Sequence, residues 1–176
     1  MAKLREAIFW LTGLAFLLFI NLAIVERETI IEQGETAILA LAPVDPRSLI
    51  QGDYMALAYE LERDETVLEA VEARAVTGKS DGLLVLAPDT AGVHRFKRLD
   101  DGSPLGAGEL RLVYRWRQGG LRLPGESFFF QEGRAEDFQQ ARFAAFKVDE
   151  NGEAVLVGLR DEALGEIGVE IGNDGS

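Results

Sequence analysis

Apolar and polar positions divide the chain into two unequal parts. Residues 7–25 run for 19 positions without a formal charge, and Thr12 and Asn21 are the distinctly polar members. A helix of that length spans roughly 28 Å, close to the ~30 Å hydrocarbon thickness of a bilayer. After residue 25 the pattern breaks into short runs with a period of two or three to four. Residues 26–35 extend the first helix to a stop near Gly34. Short strands are predicted at 36–41, 54–61, 83–86, 93–99, 109–116, 121–123, 126–131, 142–148 and 153–159. Within 54–61, Met55, Leu57, Tyr59 and Leu61 share one face. A helix is predicted over 66–75, a shorter one over 134–140, and a single helical turn over 48–51. Turns fall at Asp101 and Gly102, at 118–120, and at Asn151 and Gly152, the last being the strongest hairpin signal. The expected fold is mainly β with one or two short helices, a sandwich or partly open barrel, preceded by a single N-terminal transmembrane helix.

The flanks of the apolar run distinguish an anchor from a signal peptide. A cleaved signal has ~7–15 apolar residues and a small-x-small site, whereas this run is longer and ends on Ile24 and Val25. Lys3 and Arg5 precede it against Glu6, and Glu26, Arg27 and Glu28 follow. The positive flank is expected on the cytoplasmic side of the inner membrane, with the C-terminal domain periplasmic or extracellular. The predicted division is therefore a cytoplasmic start at 1–6, an anchor at 7–25, a membrane-proximal connector at 26–35, a β domain at 36–165 and a flexible acidic tail at 166–176.

Charge and composition narrow the chemistry. The chain carries 18 bases and 30 acids. Beyond residue 25, which leaves out Lys3, Arg5 and Glu6, 16 bases face 29 acids. Such a surface repels nucleic-acid phosphates and anionic lipid headgroups, so no nucleic-acid partner is expected. Cysteine is absent, which excludes disulfides and thiolate sites. The one histidine, His94, lies in an alternating run beside Phe96 and reads as structural. Gly78, Lys79 and Ser80 resemble a phosphate loop, but a strand follows where such a loop needs a helix. No cofactor or metal is expected.

A lysine-assisted serine mechanism is the enzymatic alternative. Ser48 precedes Gly52 and Asp53, and Lys79 lies 31 residues further on, as in membrane-tethered signal-peptidase-like hydrolases; the Ser-Met-x-Pro nucleophile motif of that group is missing. A general-base lysine must also be buried enough to lose its proton, and Lys79 sits in a polar turn. A third class is a ligand- or cation-binding module built from Asp45, Asp53, Glu126 and Glu132.

Gly52, Asp53, Tyr54, Leu57 and Tyr59 carry a specific resemblance. With Pro43, Asp45, Pro46 and Arg47 ahead of them, they resemble the bacterial family named for the motif Gly-Asp-Tyr-x-x-Leu-x-Tyr. A second match runs from Glu126 to Gly133 and departs from the usual pattern, with Leu123, Pro124 and Gly125 ahead of Glu126 and Gln131 in place of a proline. The resemblance implies a membrane-anchored protein, held in the bilayer by 7–25, that accompanies an integral membrane partner. In physical terms Leu57 and Tyr59 face the core and Tyr54 faces away. Asp45, Arg47, Gly52, Asp53, Tyr54, Glu126 and Glu132 then form either a structural corner or a binding site, and catalytic residues are not assigned beyond the Ser48 and Lys79 alternative.

Overall fold

The computed structural model describes residues 2–43, 50–51, 54–131 and 133–168; at 2, 4–8, 50, 51 and 135 the backbone alone is described. One continuous helix, α1 (Ala2–Gln33), opens the chain. Its stretch Phe9–Gln33 is long and apolar enough to cross a membrane, with mean hydropathy 2.0 in a window of which none is buried by the protein. Asn21 donates its side-chain amide to Leu17 O at 2.9 Å, and Thr29 donates its hydroxyl to Val25 O at 2.8 Å. Asn21, within the uncharged run, is thus satisfied by the helix itself, as an apolar surrounding requires.

Helix and domain meet without a spacer. Ile30 is buried, and Gly34 N–H donates to Ile30 O at 2.9 Å. Strand β1 (Glu35–Ala40) begins at the next residue. A Cβ on Gly34 would lie 2.4 Å from Ile30 O and 2.9 Å from Val148 N, so a larger residue cannot sit there without a shift. Lys147 places its ammonium 3.2 Å from Gly34 O, a cation at the helix C-terminus where the dipole favours one.

The remaining strands are β2 (Ile50–Gln51), β3 (Tyr54–Ala56), β4 (Asp81–Pro88), β5 (His94–Leu99), β6 (Leu110–Arg117), β7 (Gly120–Arg122), β8 (Ser127–Phe129), β9 (Phe143–Val148), β10 (Ala154–Arg160) and β11 (Glu166–Ile167). They form three antiparallel sheets ordered β1-β9-β10-β11, β2-β3-β8 and β5-β4-β6-β7, curled as half-barrels. Between them lies a core built on Leu39, Tyr59, Leu84, Leu112, Tyr114 and Phe146. Helix α2 (Glu65–Val76) covers one side with Val67 and Val71 buried. Its N-terminus is capped by Asp64, whose Oδ1 accepts Thr66 N–H at 2.8 Å and Val67 N–H at 3.2 Å. A one-turn helix, α3 (Ala135–Phe138), packs Phe138 against Phe128 and Phe130, with ring centroids 5.2 and 5.0 Å apart.

Most predicted elements are present within a residue or two. Three differ. Ile50 and Gln51 are paired in β2 with Met55 and Tyr54, where a helical turn was expected over 48–51; residues 48 and 49 lie outside the described residues. The strand expected over 54–61 stops at Ala56; Tyr59 makes only an isolated bridge to Leu41, its N–H is taken by the Glu62 carboxylate at 3.3 Å, and the chain turns through a 3-10 segment, Glu60–Glu62. The alternation survives that break: Met55, Leu57, Tyr59 and Leu61 are all buried. The tail does not fray immediately after residue 165. Glu166 and Ile167 pair with Arg160 and Leu159, and Arg134 donates to Gly168 O at 3.2 Å.

His94 joins two sheets. Its Nδ1 accepts Ile38 N–H at 3.2 Å, tying edge strand β5 to edge strand β1. Burial holds its pKa below the ordinary value against the pull of Asp89 and Glu35, and the Ile38 N–H bond can be accepted only by the neutral ring. A depressed histidine contributes stability that is present above the unfolded pKa of about 6.5 and is lost as pH falls through the folded value. Since the chain has one histidine, its imidazole resonance is unambiguous: it is expected to titrate below 6.5. The unfolding free energy should fall between about pH 7.5 and about pH 5 relative to a His94→Gln variant. A midpoint above 6.5 contradicts this assignment.

The β9–β10 hairpin closes through Asp149, whose Oδ1 accepts Asn151 N–H at 3.0 Å and Glu153 N–H at 2.8 Å. Gly152 sits at φ +86, and a Cβ there would meet Leu83 Cδ2 at 2.8 Å and Arg111 C at 3.2 Å. Gly152→Ala is expected to cost about 2 kcal/mol, measured by denaturant unfolding of the whole chain, whereas Gly119→Ala, in open space though also at positive φ, costs less.

Candidate functional site

The two sequence segments that carry the motif lie side by side. β3 pairs with β8 in the register Tyr54 with Phe129, Met55 with Phe128 and Ala56 with Ser127. Leu57 N–H continues the ladder by donating to Glu126 O at 2.8 Å. Side chains alternate across this small sheet: Met55 and Phe128 turn inward, and Tyr54 and Phe129 turn out with ring centroids 5.9 Å apart. Phe129 is 75% exposed, which is uncommon for a phenylalanine in a domain of this size.

Tyr59 holds the segments together from below. It is fully buried, its ring lies 5.8 Å from that of Phe146, and its phenol donates to Gly125 O at 2.6 Å. A Cβ on Gly125, at φ +76, would press on Phe146 at 3.0 Å and on the Tyr59 hydroxyl at 3.1 Å. The Glu62 carboxylate completes the clamp, with Oε2 accepting Tyr59 N–H and Oε1 accepting Leu123 N–H at 3.0 Å. Burial raises the Glu62 pKa, and Glu126 adds to the rise; the Leu123 and Tyr59 N–H groups and the Arg122 charge oppose it. The Tyr59 phenol is pushed far up, first by burial and then by Glu62 and Glu126, so it stays protonated and donates. This arrangement fixes chain geometry, tying the Tyr59, Leu123 and Gly125 backbone together.

Of the sequence-predicted site residues, Tyr54, Lys79 and Glu126 are described; Asp45, Arg47, Ser48, Gly52, Asp53 and Glu132 lie outside the described residues. Tyr54 and Glu126 are at opposite ends of the β3–β8 ladder, about 10 Å apart by strand rise. Lys79 is exposed in the turn between α2 and β4, without the burial that a general-base lysine needs. Among the described residues no group of three or more His, Asp or Glu side chains converges as metal ligands.

Two open grooves flank the point where α1 enters the domain. One runs past Glu26, Glu35, Glu109, Asp149 and Glu150, with Arg111 as its base. The other is lined by Arg27, Arg115, Arg122, Glu126 and Glu153 around the buried Leu123. Sequence reasoning missed Phe129, Glu62 and the three arginines. An in-out-in alternation through Phe128, Phe129 and Phe130 was the available signal for Phe129, and Glu62 lies three residues after Tyr59, the spacing of a reciprocal cap. The arginines carry no local signal, since they come from α1, β6 and β7.

The fold and its paired motif strands define a curled, mainly β domain carried on a long apolar N-terminal helix. Residues 16–159 match the family model described as GDYXXLXY protein, and the chain belongs to that family. Neither the curated proteins nor the solved structures searched yield a match.

Tyr59→Phe removes the donor to Gly125 O and is expected to lower the unfolding free energy by about 1–3 kcal/mol. Phe129→Ser, at an exposed position, should stay within roughly 0.5 kcal/mol of the parent. Denaturant unfolding of both variants checks the pair, and a reversed order contradicts the inward role of Tyr59 and the outward role of Phe129.

Proposed function

We propose that this protein is a membrane-anchored binding module whose domain docks onto an integral membrane partner through the face of the β3–β8 sheet bearing Tyr54 and Phe129. The observation that carries the reading is Phe129: a large aromatic, 75% exposed, packed against a tyrosine that belongs to the family's defining motif. Exposed aromatics of this kind serve as anchors in recognition surfaces. The anchor supports a partner in the same membrane, because α1 runs into the domain without a flexible spacer. In this reading α1 spans the inner membrane with Lys3 and Arg5 on the cytoplasmic side, and the acidic domain lies outside.

The hydrolase alternative draws no support from Lys79, which is exposed, whereas a general-base lysine needs burial. A cation module draws none from Glu126, whose groove also holds three arginines.

A photo-crosslinking residue at position 129, in cells of the native host, is expected to yield a discrete adduct with an integral membrane protein. The same residue at Val76, which is 83% exposed on the far end of α2, should not. Adducts that are absent at both positions, or equal at both, contradict the proposal. Phe129→Asp should abolish co-purification in mild detergent while leaving the unfolding midpoint unchanged.

A further inference from the structure

Three arginines stand apart from the others described. Most arginines of this acidic domain are engaged. Arg95, Arg98, Arg111, Arg117, Arg134 and Arg160 form ion pairs. Arg63, Arg74 and Arg142 donate to backbone carbonyls. Among the described side chains, Arg27, Arg115 and Arg122 make neither a hydrogen bond nor an ion pair, and all three are exposed and line one groove. Their charges act at a distance on Asp81, from Arg115, and on Glu62, from Arg122. Glu126 and Glu153 share the groove but pair with none of them.

The groove's position selects its occupant. Arg27 lies two residues past Val25, the last residue of the uncharged run, which is about 3 Å along the helix axis. With α1 in a bilayer, that level is the headgroup layer, and Arg115 and Arg122 reach the same groove from β6 and β7. A domain with this excess of acid repels an anionic membrane surface. Three unengaged guanidinium groups gathered in one of the two grooves beside α1, the other being acidic, offset that repulsion where contact occurs. Each presents a planar fork of donors suited to a phosphate.

We infer that the groove of Arg27, Arg115 and Arg122 binds the phosphate of an anionic phospholipid headgroup in the bilayer that α1 enters. This rests on the reading of α1 as a membrane span. The site would hold the domain down on the membrane beside the helix and set its rotation about the helix axis. Each arginine near an anionic surface is worth roughly fivefold in binding. Glu126 and Glu153 offset part of that, so a net preference of about tenfold is expected.

The full chain in mild detergent, offered equal phosphatidylglycerol and phosphatidylcholine with the same acyl chains, tests this by native mass spectrometry. The wild type should retain phosphatidylglycerol about tenfold over phosphatidylcholine. Joint replacement Arg27→Gln, Arg115→Gln and Arg122→Gln should abolish the preference. Replacing the ion-paired Arg95, Arg98 and Arg117 by glutamine should leave it intact. The groove arginines support no bond within the fold, so an unchanged circular-dichroism melt is expected for the first variant. Equal retention of both lipids by wild type, or equal loss in both variants, overturns the site. Inorganic phosphate that binds the wild type and is not displaced by phosphatidylglycerol assigns the groove to a soluble anion and overturns the lipid source. Extraction of the wild-type chain from vesicles by alkaline carbonate overturns the anchor reading and this inference with it. Retention in vesicles without lipid preference overturns the headgroup site alone.

Discussion

Everything else in this structure depends on the junction at Gly34. The buried Ile30 side chain, the Gly34 N–H bond to Ile30 O and the Lys147 ammonium on Gly34 O join helix and sheet within five residues. Because β1 starts at Glu35, the first strand of the core sheet inherits its direction from the helix. The requirement for glycine is steric: helix carbonyl and β9 backbone close in from two sides. The joint places the Asp149–Glu153 hairpin loop and the Pro124–Gly125 turn beside Glu26 and Arg27, near the level where the apolar run ends. It also brings Arg27 into one groove with residues nearly a hundred positions away in the chain.

The family-defining residues divide their labour across one short strand. Leu57 and Tyr59 point inward, and Tyr59 uses its phenol to hold the turn at Gly125 that sets β8 alongside β3. Tyr54 points outward beside Phe129. The same motif therefore both builds the corner and presents it. The described inward positions build the corner, and Tyr54 and Phe129 form its outward face.

Much of this was legible in the sequence wherever the information is local. The uncharged run and the alternation of Met55, Leu57, Tyr59 and Leu61 each encode their surroundings directly. Local signals failed where a distant partner decides. Ile50 and Gln51 become a strand because β3 pairs with them. Glu166 and Ile167 become a strand because Leu159 and Arg160 offer an open edge, and Arg160 reaches Glu166 at 2.9 Å. The contact of β3 with β8 spans some seventy residues, and the arginine groove spans three elements, so neither leaves a spacing in the chain to be read.

The domain is joined without a spacer to a helix long and apolar enough to cross a membrane, and the absence of native cysteine makes the stiffness of that joint simple to measure. Spin labels on cysteines introduced at Leu22, exposed within the apolar stretch, and at Val157, exposed on β10, report the distance between helix and domain in lipid nanodiscs. A rigid joint predicts one narrow distance distribution that broadens when Gly34 is replaced by a bulky residue. A broad distribution in the otherwise native chain contradicts it, because the domain would then swing on its tether and the groove at Arg27 would have no fixed place at the membrane.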